Sequence, residues 1–434
     1  MKKFLKNIYI SKIALIILFI FISYSSYESY NLENKKRKLK SDLIELSDIK
    51  YGMFNADEWK KQISYIITQK LNELELNIEN KEIAKEKITK LLYTLIDDFE
   101  IDYKEKNEKN SIFGISIKNL GAEYFSIFLN LKEQVPNITE QIVTFLDKKE
   151  NTEKIKDYIF LQLDKYRENT FQKIDYSKLN KILIKYDSID KNICKQKIRN
   201  NIKEINSKNN QHNAVIFFTY IFILLMIFFG KNHSTLKIIL YLFTAFLLLI
   251  LGVFLPMIDI DARISIMEFN LMGETIAFEN QILYYKSKSI IEMSKLMIVQ
   301  KKAEIIIVGL LIFIFSILIP VFKLFSFAIL IFKNQFKKNK ILFFLAFKSG
   351  KWSMADVMVV AIFMSYIGFS GIISSQLNQL ENISKNITIL TTNYSKLQNG
   401  FYFFLGFVLI SISISQKIMI PKKKIQKDKE ALSS

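Results

Sequence analysis

The chain holds one cysteine, Cys194, and two histidines, His212 and His233. A lone cysteine closes no internal disulfide, so a domain outside the membrane must be held by packing. The two histidines stand far apart with no cysteine or carboxylate cluster beside either, which argues against a histidine-based metal site. The sequence has no glycine-rich phosphate loop, no nucleophile motif with a base, and no haem or iron–sulfur ligand set. Paired acids such as Asp97 and Asp98 sit on a soluble amphipathic stretch, where solvated charge is the usual meaning. Hydrolysis and redox chemistry are unsupported, and the expectation is a protein that is not an enzyme and carries no cofactor and no metal.

Apolar residues are abundant: half of the 434 residues are hydrophobic, and they cluster. Long runs occur near Ile8–Tyr24, Ala214–Gly230, Ile238–Pro256, Ile305–Phe332, Trp352–Ile373 and Phe401–Ser415, each close to the length that spans a bilayer. The expected fold class is an α-helical integral membrane protein with about six transmembrane helices, a large mainly helical periplasmic domain and a small β-rich periplasmic loop. The corresponding segments are an anchor over 1–30, the helical domain over 31–212, a second span over 213–231, a four-span module over 235–420 and a basic tail over 421–434.

A net charge of +19 would suggest nucleic acid if it lay on a folded face. Residues 28–212 hold 34 basic and 31 acidic residues, so nearly all of the excess lies elsewhere. Lys2, Lys3, Lys6 and Lys12 precede the first span, and Lys231 and Lys237 precede the third. Lys333, Lys337, Lys338, Lys340, Lys348 and Lys351 follow the fourth, and Lys417, Lys422, Lys423, Lys424, Lys427 and Lys429 follow the last. These loops alternate along the chain, as the positive-inside rule requires. Both termini are therefore expected in the cytoplasm, with 28–212, 257–303 and 376–400 outside, and no nucleic-acid partner is expected.

The first run fits an uncleaved anchor, but its basic start, apolar core Ile13–Ile22 and small residues Ser23 and Ser25 also describe a cleavable signal peptide. From Lys35 to about Gln211 the periodicity is helical. Ile63, Ile66, Ile67, Leu71 and Leu74 form one stripe, continued by Ile88, Leu91, Leu92, Leu95, Ile96 and Phe99. Ile138, Ile142, Phe145 and Leu146 follow Pro136; Ile155, Tyr158, Ile159, Leu163 and Tyr166 make another stripe, and Leu179, Ile182, Leu183 and Tyr186 a last one. Asn107–Gly114 is the expected exposed loop. The cluster Tyr51–Trp59 reads either as a partner- or lipid-contacting edge or as a helix start, with Asn55 and Glu58 in a capping box and Trp59 in the core.

Residues 258–266 alternate strictly, with Ile258, Ile260, Ala262, Ile264 and Ile266 on one face and Asp259, Asp261, Arg263 and Ser265 on the other. This is the pattern of a half-buried strand. A turn near Asn270–Glu274, a returning strand over Thr275–Tyr285 and an amphipathic helix around Ser289–Val299 complete a small β-rich cap. The run Ile305–Phe332 exceeds what a bilayer needs and should tilt, or kink at Pro320. Ile341–Phe347 is too short to span and is expected at the cytoplasmic interface. Gln376–Asn399 reads as a surface loop.

Ionisable groups inside spans are rare because hydrocarbon solvates charge badly, so those present are functional candidates. Ser316 and Lys323 are seven residues apart and share a helix face, with Pro320 between them; Ser353 and Asp356 also share a face. Were their helices neighbours, Lys323 and Asp356 would meet in a polar pocket. Alternatively, Lys323 snorkels to the headgroups while Ser353 and Asp356 cap a helix.

The segment Gly350-Lys-Trp-Ser-Met-Ala-Asp-Val357 resembles the central motif of the paraquat-inducible protein A family. Leu251-Gly-Val-Phe-Leu-Pro256 and Ser316-Ile-Leu-Ile-Pro-Val-Phe-Lys323 are similar to its two other landmarks, in the same order. The resemblance spans about 235–420, a single four-span module, and does not extend to 28–212. It implies an inner-membrane component of an intermembrane lipid transport system, acting on phospholipid together with a periplasmic mammalian-cell-entry domain protein. It also implies that Ser316, Lys323, Ser353 and Asp356 line a membrane cleft, with Pro256, Pro320, Gly350, Lys351 and Trp352 serving structure. Many members carry two modules and paired Cys-x-x-Cys sequences; this chain has one module and no cysteine in Lys231–Thr235, so zinc is not implied.

Overall fold

Two helices much longer than a bilayer is thick carry the chain out of the apolar bundle and back. Helices α1 (Lys2–Leu46) and α4 (Lys191–Phe229) have 45 and 39 residues, about 68 and 59 Å at the usual helical rise. The computed structural model describes residues 2–52, 55, 58, 61–62, 65–67, 69–70, 81–104, 111–112, 115–116, 132–144, 175–230, 234–271, 274–332, 339–348, 355–381 and 387–431. Among them, five helical segments are long and apolar enough to cross a membrane: Lys191–Phe229, Thr235–Phe254, Ala303–Phe332, Val357–Asn378 and Asn399–Gln416. The remaining expected span, Ile8–Tyr24, falls within α1, whose side chains are described only from Ile16 onward.

The two long helices run antiparallel as a stalk. Ser25, Ser26 and Ser29 are buried, and Ser29 Oγ donates to Asn213 Oδ1 at 2.6 Å. Such small residues let helix backbones approach closely in an apolar medium. Higher up, Asn209 Nδ2 donates to the buried Glu33 carboxylate at 2.6 Å, and Lys36 pairs with the same side chain at 2.6 Å. His212 meets Tyr24 edge to face. The helices continue without a break through residues 30 and 212, so the outer domain is continuous with the membrane helices.

In the outer domain, α2 (Lys81–Lys104) buries Ile88, Leu91, Leu92 and Ile96, and a helix over 132–144 buries Ile138 and Ile142. These are residues of the apolar stripes. Helix α3 (Ser177–Lys185) buries Leu179 and Ile182, which join Leu46, Tyr51, Cys194 and Ile198 in one cluster where the stalk ends. Asn55 is buried and donates to the Tyr176 hydroxyl at 2.7 Å. Ser111–Ile112, inside the expected loop, pair with Ile115–Ser116 just beyond it as a minimal hairpin. Trp59 and residues 151–174 lie outside the described residues, as does His233.

Within the apolar bundle, α5 (Thr235–Phe254) packs against α11 (Asn399–Ala431), which in turn packs against α4. Ile216, Ile223, Leu248, Phe404 and Phe407 form its centre. Gly252 sits where α5 meets α11, and a Cβ there would come within 2.8 Å of the Phe404 backbone. The cap is a hairpin of β1 (Ile258–Leu271) and β2 (Glu274–Lys288), followed by α6 (Ile290–Ile298), as the alternation predicts. The reading of Gln376–Asn399 as a surface loop is corrected. Residues Ile387–Asn393 form β3, which pairs antiparallel with β1 on the side opposite β2, and Lys396–Leu397 form β4, which pairs with the foot of β1. The run Ile-Thr-Ile-Leu-Thr-Thr is rich in β-branched residues, and β1 offers it a free edge.

The fourth apolar run divides into α7 (Ala303–Phe313), a π turn over Ile314–Leu318 and α8 (Ile319–Phe332). Pro320 has no N–H to return to the carbonyl four residues back, and the helix absorbs the loss by widening, with the Ile319 N–H donating to the Ile314 carbonyl. Ile341–Phe347 lies in α9 (Lys340–Phe343) and a π turn over Phe344–Lys348 that packs on α8 and buries Ala346. Helix α10 (Ala355–Glu381) closes the set.

Substituting Gly252→Ala should force α5 and α11 apart, because the obstacle is backbone. The expected cost is about 1–3 kcal/mol, read as a lower thermal midpoint of the purified protein in detergent. An unchanged midpoint would show that the two helices separate freely there.

Candidate functional site

A cleft of about 740 Å³ lies between the foot of the hairpin, α6, α7 and α10. Its walls are apolar: Ile258 and Ile260 from β1, Ile290, Met293, Leu296 and Met297 from α6, Ile312 from α7, and Met358, Ile362, Phe369, Ile372 and Ile373 from α10. The α10 residues run from Met358 to Gln376, eighteen residues or about 27 Å of helix, close to the ~30 Å of a bilayer's hydrocarbon core. Polar groups enter the lining from Tyr284, Lys286, Lys288, Ser289, Ser365 and Gln376. No carboxylate lines it among the described residues.

The hairpin presents its faces in an unexpected sense. Alternation alone would bury the isoleucines and solvate the acids. At the foot of β1, Asp259 and Asp261 are instead 2% and 6% exposed, while Ile258 and Ile260 are only partly covered and line the cleft. The acids are buried because they are paired. Lys40 on α1 donates to Asp259 Oδ2 at 2.6 Å, and Arg263 makes two hydrogen bonds of 2.6 Å to Asp261. Turning the acidic edge toward the stalk leaves the apolar edge to the cleft.

Helix α6 is fixed in the same way. Ser289 and Glu292 form a complete capping box, and Ser294 Oγ donates to the Gly309 carbonyl at 2.8 Å. A Cβ on Gly309 would come within 2.8 Å of the Met297 Cβ, so α6 lies directly on α7. Arg37 on α1 donates to the Glu292 carboxylate. Burial alone would raise the Glu292 pKa, but the Arg37 hydrogen bond, the Ser289 amide and the nearby Arg37 and Lys288 charges outweigh it and hold the carboxyl below its ordinary value. The outer stalk also meets β2, where the Ile282 N–H donates to the Ser47 carbonyl at 2.9 Å.

Ser316 and Lys323 are 3% and 5% exposed. Lys323 Nζ donates to Ser411 Oγ on α11 at 2.8 Å. Ser411 thus joins the candidate residues, although nothing in the linear pattern of Ser411, Ser413 and Ser415 distinguishes the one that faces a lysine on another helix. Lys323 is held inside the bundle through this bond. Pro256 is buried and its carbonyl accepts from the Gly400 N–H at 3.0 Å, fixing the junction of α5 with the cap. Pro320 is buried immediately after the π turn. Gly350, Lys351, Trp352 and Ser353 lie outside the described residues, and Asp356 is described only as part of the first turn of α10. Asp356 lies two residues before Met358, and Ser316 four after Ile312, so both fall near cleft-lining positions in sequence.

Because Glu292 titrates below its ordinary value of 4.5 when folded, it stabilises α6 above that value, and this contribution is lost as pH falls through the folded pKa. Protection of the α6 amides relative to their intrinsic exchange rates should fall below about pH 4.5, and Glu292→Gln should be less protected at pH 7 and lose that dependence. Equal protection in both proteins at every pH would remove Glu292 as the clamp.

No curated protein and no solved structure matches the chain. Residues 284–379 match the family model of Paraquat-inducible protein A, a stretch that runs from the end of β2 through α10 and contains Ser316–Lys323 and Gly350–Val357. The match stops short of Leu251–Pro256, and within its bounds it agrees with the resemblance those motifs carry: over this stretch the chain is similar to paraquat-inducible protein A, and its apolar helices suit a multi-pass membrane protein.

Proposed function

We propose that the protein is an inner-membrane component of an intermembrane lipid transport system, and that the cleft accepts or offers a phospholipid. The observation that carries this reading is the cleft itself. It is apolar along about the depth of a bilayer's hydrocarbon core and polar in part of its lining, and its walls fall largely inside the segment that matches the paraquat-inducible protein A family. An acyl chain resting there exchanges one apolar surrounding for another, so the lipid can enter sideways without the ~0.8 kcal/mol per methylene that transfer to water would cost. Transport, not catalysis, is the role, and no cofactor enters it.

The orientation that goes with this reading puts both termini in the cytoplasm and residues 28–212 in the periplasm, as the lysine distribution supports. The outer domain then docks a periplasmic mammalian-cell-entry domain protein. In this scheme Lys323, with Ser316 and Ser411, supplies a polar level inside the bundle.

One observation favours a second reading, a membrane receptor. Helices α1 and α4 run unbroken from the bundle into the outer domain, a layout that could pass a ligand-induced shift inward. Affinity purification from native membranes in mild detergent, with mass spectrometry of retained proteins and lipids, separates the two. A mammalian-cell-entry domain protein together with enriched phospholipid is the expected result; neither appearing would favour the receptor. Ile362→Trp, which crowds the cleft wall, should reduce retained lipid severalfold at unchanged expression. Lys323→Ala should abolish transport while the protein still inserts, and loss of insertion would assign Lys323 a structural role instead.

A further inference from the structure

We propose that Lys286 and Lys288 make the cleft selective for anionic amphiphiles over zwitterionic ones; this rests on the lipid reading above and specifies its substrate class. The two lysines are two residues apart on β2 and therefore project to the same face. Across the ladder they stand opposite Ile260 and Ile258, the two isoleucines that line the cleft from β1. Charge and apolar surface thus meet side by side at the foot of the hairpin.

Neither lysine forms an ion pair among the described residues. Glu292 lies close enough to Lys288 for the two charges to interact. Its carboxylate is already held by the Arg37 guanidinium and the Ser289 amide. The acids of the adjacent strand point the other way, Asp259 to Lys40 and Asp261 to Arg263. Among the described residues, then, the two ammonium groups have no carboxylate of their own, and none lines the cleft. A third polar group is open at the same cleft: Gln376 Oε1 is buried and has no hydrogen-bond partner among the described residues.

An occupant that satisfies all of this has acyl chains for the α6, α7 and α10 walls, a negative headgroup for the two lysines and a hydroxyl for Gln376. Phosphatidylglycerol has this chemistry. Phosphatidylethanolamine brings its own ammonium to the same place, which two lysines repel. The attraction of a basic side chain to an anionic membrane surface corresponds to roughly fivefold per lysine.

The test uses the full chain reconstituted in lipid discs of equal phosphatidylglycerol and phosphatidylethanolamine, re-extracted in mild detergent, with retained lipids quantified by mass spectrometry. Phosphatidylglycerol should be enriched severalfold over the disc ratio. The Lys286→Gln/Lys288→Gln double variant should return to that ratio while total retained lipid stays the same; Ile362→Trp should lower the total without changing the ratio. Wild-type protein retaining both lipids in the disc ratio would overturn the selectivity and leave the lipid reading standing. Failure to retain lipid of either kind would overturn both. Enrichment abolished by excess inorganic phosphate at constant ionic strength would assign the lysines to free phosphate and overturn the lipid assignment.

Discussion

The buried pair between Asp259 and Lys40 sets the orientation of everything around the cleft. A carboxylate 2% exposed at the foot of a strand is tolerable only if a cation meets it, and Lys40 does so at 2.6 Å. Stripping one partner from such a pair typically costs about 3–5 kcal/mol, because the other charge is left buried. The pair therefore fixes which edge of β1 faces the stalk. Since successive side chains alternate, it also fixes that Ile258 and Ile260 face the other way. With α6 pinned by Arg37 and by its packing on Gly309, the opposite wall is set by contacts of the same kind. One helix, α1, thus holds both the hairpin and the helix that flank the cleft.

The interior of the bundle solves a second electrostatic problem. Lys323 sits among apolar helices, and its ammonium is directed to the Ser411 hydroxyl on α11. Immediately before it, the π turn over Ile314–Leu318 accommodates the N–H that Pro320 lacks and brings Ser316 to a buried position. Departures from α-helical regularity and buried polar groups coincide on one stretch of helix. Such coincidence is costly in an apolar medium and is kept where it serves a site.

Much of the architecture could be read in the linear pattern. The hairpin turn, the helix that begins after Ser289, and the stripes through Ile88–Ile96 and Leu179–Ile182 follow from spacing and local chemistry. Strand β3 was less legible, because Ile387–Asn393 is short and follows a stretch rich in Asn and Ser, and a short edge strand becomes stable only when a neighbour supplies its hydrogen bonds. The division at residues 30 and 212 followed the change from apolar to charged composition. Helix α1 ignores that change, since backbone hydrogen bonding continues through it regardless of what surrounds the side chains.

The linear pattern specifies the membrane class, the apolar spans described here and the cap hairpin, because hydropathy and periodicity are local properties that each segment carries alone. It also placed Ser316 and Lys323 on one helix. Tertiary packing decides that at the foot of β1 the acids are buried and Ile258 and Ile260 line the cleft, that Lys323 meets Ser411, and that the walls of the cleft are drawn from four separated segments. A strand's alternation says that its two faces differ, but the stalk that pairs with one of them comes from more than two hundred residues earlier. Which face is covered is a property of that encounter.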